Sequence, residues 1–132
     1  MTNQMIVHYT YDPESDVLEV YFGAKRPAWT IELTGNIMLS IDRQTGHAVA
    51  LSFLDFTELA RPTPFGPQSF PLTGLADLPL TERSLVIKVV TSPPVNEWLD
   101  VSAVQRLPDS PLAVTHLEKS PLDLLNLTPV AA

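Results

Sequence analysis

The stretch TYDPESDVLEVYF, Thr10 to Phe22, sets three carboxylates at alternate positions: Asp12, Glu14 and Asp16. A calcium loop begins this way, because Ca2+ is held by about six to eight oxygen ligands drawn from alternate residues. The loop is not completed. Counted from Asp12, the position that needs a glycine for the sharp turn is Val17, and the one that needs a bidentate glutamate is Gly23. Pro13 stands directly after the first acid. The residues read instead as an Asp-Pro turn, with Asp first and Pro second as a type I turn favours. Asp12 and Asp16 then accept from backbone amides at the turn and the strand entry.

Glu19 and Glu32 are candidate cross-strand neighbours. Two carboxylates side by side, if buried, would raise one pKa and give an acid/base pair. His8, His47 and His116 are far apart, with no His-x-x-x-His or Glu-x-x-His spacing, and read as ordinary surface or interface residues. No Gly-x-Ser-x-Gly elbow presents a serine, and the five glycines are isolated turn residues, not a phosphate loop. With no cysteine there is neither a disulfide nor a thiolate metal site. No catalytic residue, cofactor or metal is expected. Trp29 reads as core. Trp98, Phe65 and Phe70 read as a cap on the core beneath a proline-rich crossing, the alternative being a groove for an extended peptide.

Those residues must be positioned by strands in the first half. Met5–Tyr11, Asp16–Phe22, Ala28–Leu33, Asn36–Asp42 and His47–Phe53 are rich in β-branched and aromatic residues and separated by turn signals. The short joins predict sequential antiparallel neighbours, hence a five-stranded meander. Alternation puts Val7, Tyr9, Tyr11, Leu18, Val20, Phe22, Trp29, Ile31, Leu33, Ile37, Leu39, Ile41, Val49, Leu51 and Phe53 on an apolar face. The opposite face is mixed, with Ile6, His8, Thr10, Glu19, Tyr21, Thr30, Glu32, Met38, Ser40, Ala48, Ala50 and Ser52. Its fifth-strand part is small and uncharged. A solvated face would carry more Lys and Glu, so cover by the second half or by another copy of the chain is expected.

Within this half, YDPESDVLEVYF followed by IELTGNIMLSIDRQTGHAVALSFLDF resembles the bacterial domain-of-unknown-function family 2283. Tyr11, Asp12 and Asp16, then Ile41 and Asp42, Gly46, and finally Phe53, Leu54 and Asp55 carry the resemblance, which covers residues 7–56. Glu19 stands where members often have Ile, Arg or Lys. The resemblance implies a small β-sheet domain, and it implies no activity and no catalytic residue.

The remainder has a different texture. Residues 1–60 hold two prolines and the rest of the chain holds eleven. Arg61–Pro71, RPTPFGPQSFP, is a crossing that lacks the backbone donors of a central strand. Residues 72–132 are expected to form a partial second sheet over the meander. A single helical turn is expected near Leu72–Leu78 and a strand at Ser84–Val90. That strand pairs across TSPP with one at Asn96–Val101, and a further strand follows at Leu112–Glu118. A short helix over SPLDLLNL has Ser120 as N-cap and Pro121 in its first position. The whole reads as one mainly β domain with minor α content.

Charge and length bound the function. A formal charge of −7 with few, scattered Lys and Arg argues against nucleic acid. No apolar run reaches the ~20 residues needed to cross a bilayer. The opening MTNQMIVHYT lacks a basic segment followed by an apolar run, so no secretion signal is expected. A small, soluble, cytoplasmic bacterial protein is the expectation. Its role is non-enzymatic interaction with a protein partner or with itself as a homodimer. His8, Glu19, Tyr21, Glu32 and Met38 mark the candidate interface. The alternative is a small enzyme or ligand binder whose pocket is lined by Glu19, Glu32, His8 and Tyr21.

Overall fold

A computed structural model describes residues 6–107 and 110–125 of the 132-residue chain. The mainly β expectation holds. β1 (Val7–Asp12), β2 (Val17–Phe22), β3 (Trp29–Thr34), β4 (Ile37–Ile41) and β5 (Ala48–Leu54) form one antiparallel sheet. Each lies within two residues of its expected bounds, and Met5 falls outside the described residues.

The meander order does not hold. The strands run β1-β2-β5-β4-β3, so β2 pairs with β5 and β3 lies at the far edge. A short join does not fix adjacency when its reach exceeds the strand spacing. β2 and β3 are separated by β5 and β4, three spacings or ~14 Å. The join Gly23–Ala28 can extend to ~20 Å at ~3.4 Å per residue. Both strand ends lie at the same end of the sheet, so this join crosses without strain. A second correction concerns Ala48. The β4–β5 register slips between Ser40 and Ile41, leaving Val49 as an extra residue. Ala48 therefore pairs with Ile41 and joins the core, not the mixed face.

The second half holds three corrections. Ser84–Val90 is not a strand but the end of a helix, Leu80–Val90. After the four-residue α1 (Phe56–Leu59), the proline-rich crossing leads to β6 (Phe70–Pro71), a 3-10 turn Thr73–Asp77 and α2 (Leu80–Val90). The β-branched run in LTERSLVIKVV suggested a strand, but Val86, Val89 and Val90 are the buried positions, a helical i, i+3, i+4 stripe. Asn96–Val101 is divided between a 3-10 turn, Val95–Glu97, and the start of β7 (Leu99–Leu107). β7 pairs with β8 (Ser110–Leu117) and not with residues 84–90. The strand expected at Leu112–Glu118 is thus β8. β6, only two residues long, adds at the edge of β8, where a proline is tolerated. The helix expected after Ser120 is α3 (Pro121–Leu125). Ser120 Oγ accepts from the Asp123 amide at 3.4 Å, while the Asp123 carboxylate accepts from the Ser120 amide at 2.7 Å, a reciprocal cap.

One hydrophobic cluster spans both halves. Leu18, Val20, Phe22, Leu33, Ile37, Leu39, Ile41 and Leu51 are fully buried on the inner face of the five-stranded sheet. Phe56, Leu72, Leu75, Val86, Val90, Val95, Trp98 and Leu99 pack against them. At roughly 1.5–3 kcal/mol for each large apolar side chain, this burial is the main stabilising term. Among the described residues, the second half therefore covers the apolar face, and the expectation that it covers the mixed face does not hold there.

Candidate functional site

The acids that first suggested chemistry serve the fold. Asp12 accepts from the Glu14 amide at 3.0 Å and the Ser15 hydroxyl at 2.8 Å, closing its own turn. The Ser15 hydroxyl, followed by the Glu14 amide, holds its carboxyl below the usual range. Glu14 is exposed. Asp16 sits in the left-handed region (φ 57°) and reaches across the fold. Its carboxylate accepts from the Thr57 hydroxyl at 2.6 Å, the Thr57 amide at 3.1 Å and the Tyr11 hydroxyl at 2.7 Å. Burial pushes its pKa up, but these three donors together outweigh burial and hold it below the ordinary value. Asp55 is also left-handed (φ 56°), at the other side of the β2–β5 end. There Val17 pairs with Leu54, and the Phe56 amide donates to the Asp16 carbonyl at 3.0 Å. Asn36 Nδ2 ties the Asp55 carboxylate at 3.0 Å. Asp42 accepts from Arg26 Nε and the Gln44 amide, both at 2.9 Å, and Arg26 chiefly lowers its pKa.

The mixed face is built by the registers. One row runs straight across the sheet: Thr10, Glu19, Ser52, Met38, Glu32. The next reads His8, Tyr21, Ala50, Ser40, Thr30. His8, Glu19 and Tyr21 come together. The His8 ring stacks on Tyr21 with centroids 5.1 Å apart, and Lys25 Nζ lies 5.7 Å from the same ring. The Tyr21 hydroxyl donates to Glu19. That bond, then burial, pushes the phenol up to about 12, so at neutral pH it is a fixed donor and not a proton shuttle. Glu32 stands apart. It shares Glu19's row, but Ser52 and Met38 lie between them, ~14 Å of sheet. The expected Glu19–Glu32 carboxylate pair is therefore absent, and the four residues proposed to line a pocket do not converge.

Clefts lie elsewhere. One of ≈ 420 Å³ runs between β3 and the 3-10 turn, with Glu32 on its wall. Another of ≈ 560 Å³ lies between the proline-rich crossing and the Leu117–Asp123 segment. The aromatic expectations divide. Trp98 is buried in the core and Phe70 packs partly against it, while Phe65 is 100% exposed at the tip of the Thr63–Gly66 turn. Trp29 is only half-buried at the edge strand, with the Arg43 guanidinium 4.4 Å from its ring centroid.

One grouping was missed by sequence reading. Asp100 and His116 face each other across β7–β8, and Glu118 follows two residues after His116. His116-x-Glu118 is the spacing that puts two side chains on one face of a strand, but the third member depends on a pairing that only the fold reveals.

Residues 8–56 match a family described as protein of unknown function (DUF2283), a stretch that falls short of half the chain. The resemblance carried by Tyr11, Asp12, Asp16, Asp42, Gly46 and Asp55 is thereby supported over that stretch. No curated protein and no solved structure matches the chain. Among the described residues, no helix is long and apolar enough to cross a membrane.

Proposed function

We propose that this protein is a non-enzymatic interaction domain that pairs with a second copy of itself through the mixed face of the five-stranded sheet. One observation carries the reading. Among the described residues, the second half packs on the apolar face and against the β3 edge, leaving a two-row surface whose centre, Ala50, Ser52, Met38 and Ser40, is only partly buried and free of charge. A two-fold dimer, the commonest homo-oligomer, pairs one such patch with its own copy. His8 and Tyr21 add a stacked aromatic pair beside that centre, the residue types enriched where interfaces bury area. The edge strand β3 offers a poorer route. The turn Thr73–Asp77 lies against it so closely that a Cβ on Gly74 would stand 1.7 Å from the Glu32 carbonyl oxygen. A cytoplasmic setting belongs to the same proposal.

The enzyme or ligand-binding alternative has less support. His8, Glu19 and Tyr21 cluster, but they lie on an open face, away from Glu32 and from both clefts described above.

Light scattering at micromolar protein tests the proposal. Twice the 14.5 kDa chain mass is expected. Ala50→Arg, which puts a long cation at the centre of the face, should yield a folded species of single-chain mass with an unchanged far-ultraviolet circular dichroism spectrum. A wild-type chain that stays monomeric, or a variant that stays dimeric, would overturn it.

A further inference from the structure

We infer that Asp100, His116 and Glu118 form a surface site for one divalent transition-metal ion of the zinc class. The three donor atoms lie within 4.8 Å of one another, on the β7–β8 pair and the residue that follows β8. His116 Nε2 is 3.1 Å from an Asp100 oxygen and 3.8 Å from a Glu118 oxygen. Metal–ligand bonds of ~2.1 Å in a tetrahedron place neighbouring donors ~3.4 Å apart, and the two observed separations bracket that edge.

The ordinary alternative is a surface ion pair. It accounts poorly for two carboxylates converging on one imidazole nitrogen, because a ring N–H donates a single good hydrogen bond. Among the described residues, neither Asp100 nor Glu118 has a Lys or Arg partner, and Lys119 lies over the Trp98 ring, 5.8 Å from its centroid. A divalent cation supplies the charge that the cluster lacks. One nitrogen with two carboxylate oxygens suits zinc or its first-row neighbours better than calcium or magnesium, which favour oxygen alone. The site is held by backbone. Asp100 and His116 are register partners, and the Glu118 amide donates to the Trp98 carbonyl at 2.9 Å. Three protein ligands leave a fourth position for water or an anion. Glu118 also lines the ≈ 560 Å³ cleft.

The test uses the full chain, stripped with a chelator and titrated with zinc chloride by calorimetry and against a chromophoric competitor. One equivalent should bind. His116→Ala should weaken binding by about tenfold or more, since losing even a partner that only orients a ligand costs about 10–100-fold, whereas His8→Ala and His47→Ala should not. Should His116→Ala lose its fold, histidine side-chain NMR of the wild type decides. Zinc must then perturb the His116 ring nitrogens and leave those of His8 and His47 in place. Absence of binding, equal binding by His116→Ala, or perturbation of another histidine would sink the inference.

Discussion

At the scale of single residues, the aspartates that punctuate the first half act as fasteners. Asp16 is the most connected, joining Tyr11 in β1 to Thr57 in α1 from a left-handed backbone. Its pKa is lowered in the fold, so its charged form is the one the fold prefers. The stabilisation it contributes is therefore fully present above its unfolded pKa, near 3.8, and is lost as pH falls through its lower folded value. Asp16→Asn tests this cleanly, since asparagine tolerates the same backbone. The variant should unfold at lower urea than wild type at pH 7, and the gap should close in acid below the ordinary aspartate range. A gap that persists unchanged in acid would assign the role to shape and not to charge. Tyr21 runs the other way. Its raised pKa means that its bond to Glu19 contributes below the unfolded value near 10, and that contribution fades as pH rises through about 12. Glu19→Gln should bring phenolate formation, followed by ultraviolet difference titration, back toward ordinary tyrosine. The turn role of Asp12 was legible because turn chemistry is local. The reach of Asp16 to Thr57 was not, because 41 residues separate the partners.

At the scale of elements, what could be read depended on whether an element's environment is local. Alternation located all five strands of the first sheet, since β2 to β5 bury one face in the core and β1 packs Tyr9 and Tyr11 against it, though Val7 at its start is exposed. Strand order could not be read, because a six-residue join reaches past two intervening strands as easily as it turns. The bulge at Val49 was equally hidden, and it alone moved Ala48 into the core. α2 was misread because its buried stripe consists of β-branched residues. Its eleven-residue length and the exposure of Leu80 and Ile87 distinguish it from a strand, and both are evident only once its start after Pro79 is fixed. The candidate face was legible by residue, but its row order was not, so the Glu19–Glu32 pair failed. The turn Thr73–Asp77 supplies the sharpest test at this scale. Gly74 lies against the Glu32 carbonyl, and the Arg83 guanidinium ties the turn to α2 through the Leu75 carbonyl at 3.0 Å and the Leu78 carbonyl at 3.0 Å. Gly74→Ala must push the turn off β3, because the obstacle is backbone and cannot rotate away. A cost of about 1–3 kcal/mol in urea unfolding is expected. Full wild-type stability would show that the turn is not seated on the strand.

At the scale of the whole molecule, the net charge of −7 decides how the proposed pairing should behave. Two identical chains bring together like charges, so association works against a long-range repulsion even though the centre of the face is neutral. Salt screens that repulsion over a Debye length of about 8 Å at physiological ionic strength and about 30 Å at 0.01 M. Dimer affinity, measured by sedimentation velocity, should therefore rise from low to physiological salt. A basic partner docking on the same acidic chain would show the opposite, losing affinity as salt screens the attraction. The two occupants of the face are thus separated by the sign of one slope. Ala50→Arg sharpens the comparison. It should abolish self-association at every salt concentration, because a desolvated, unpaired cation at the centre of a sheet face is not rescued by screening. Self-association that weakens as salt is added would show that charge attraction, and not the neutral centre of the mixed face, holds the copies together.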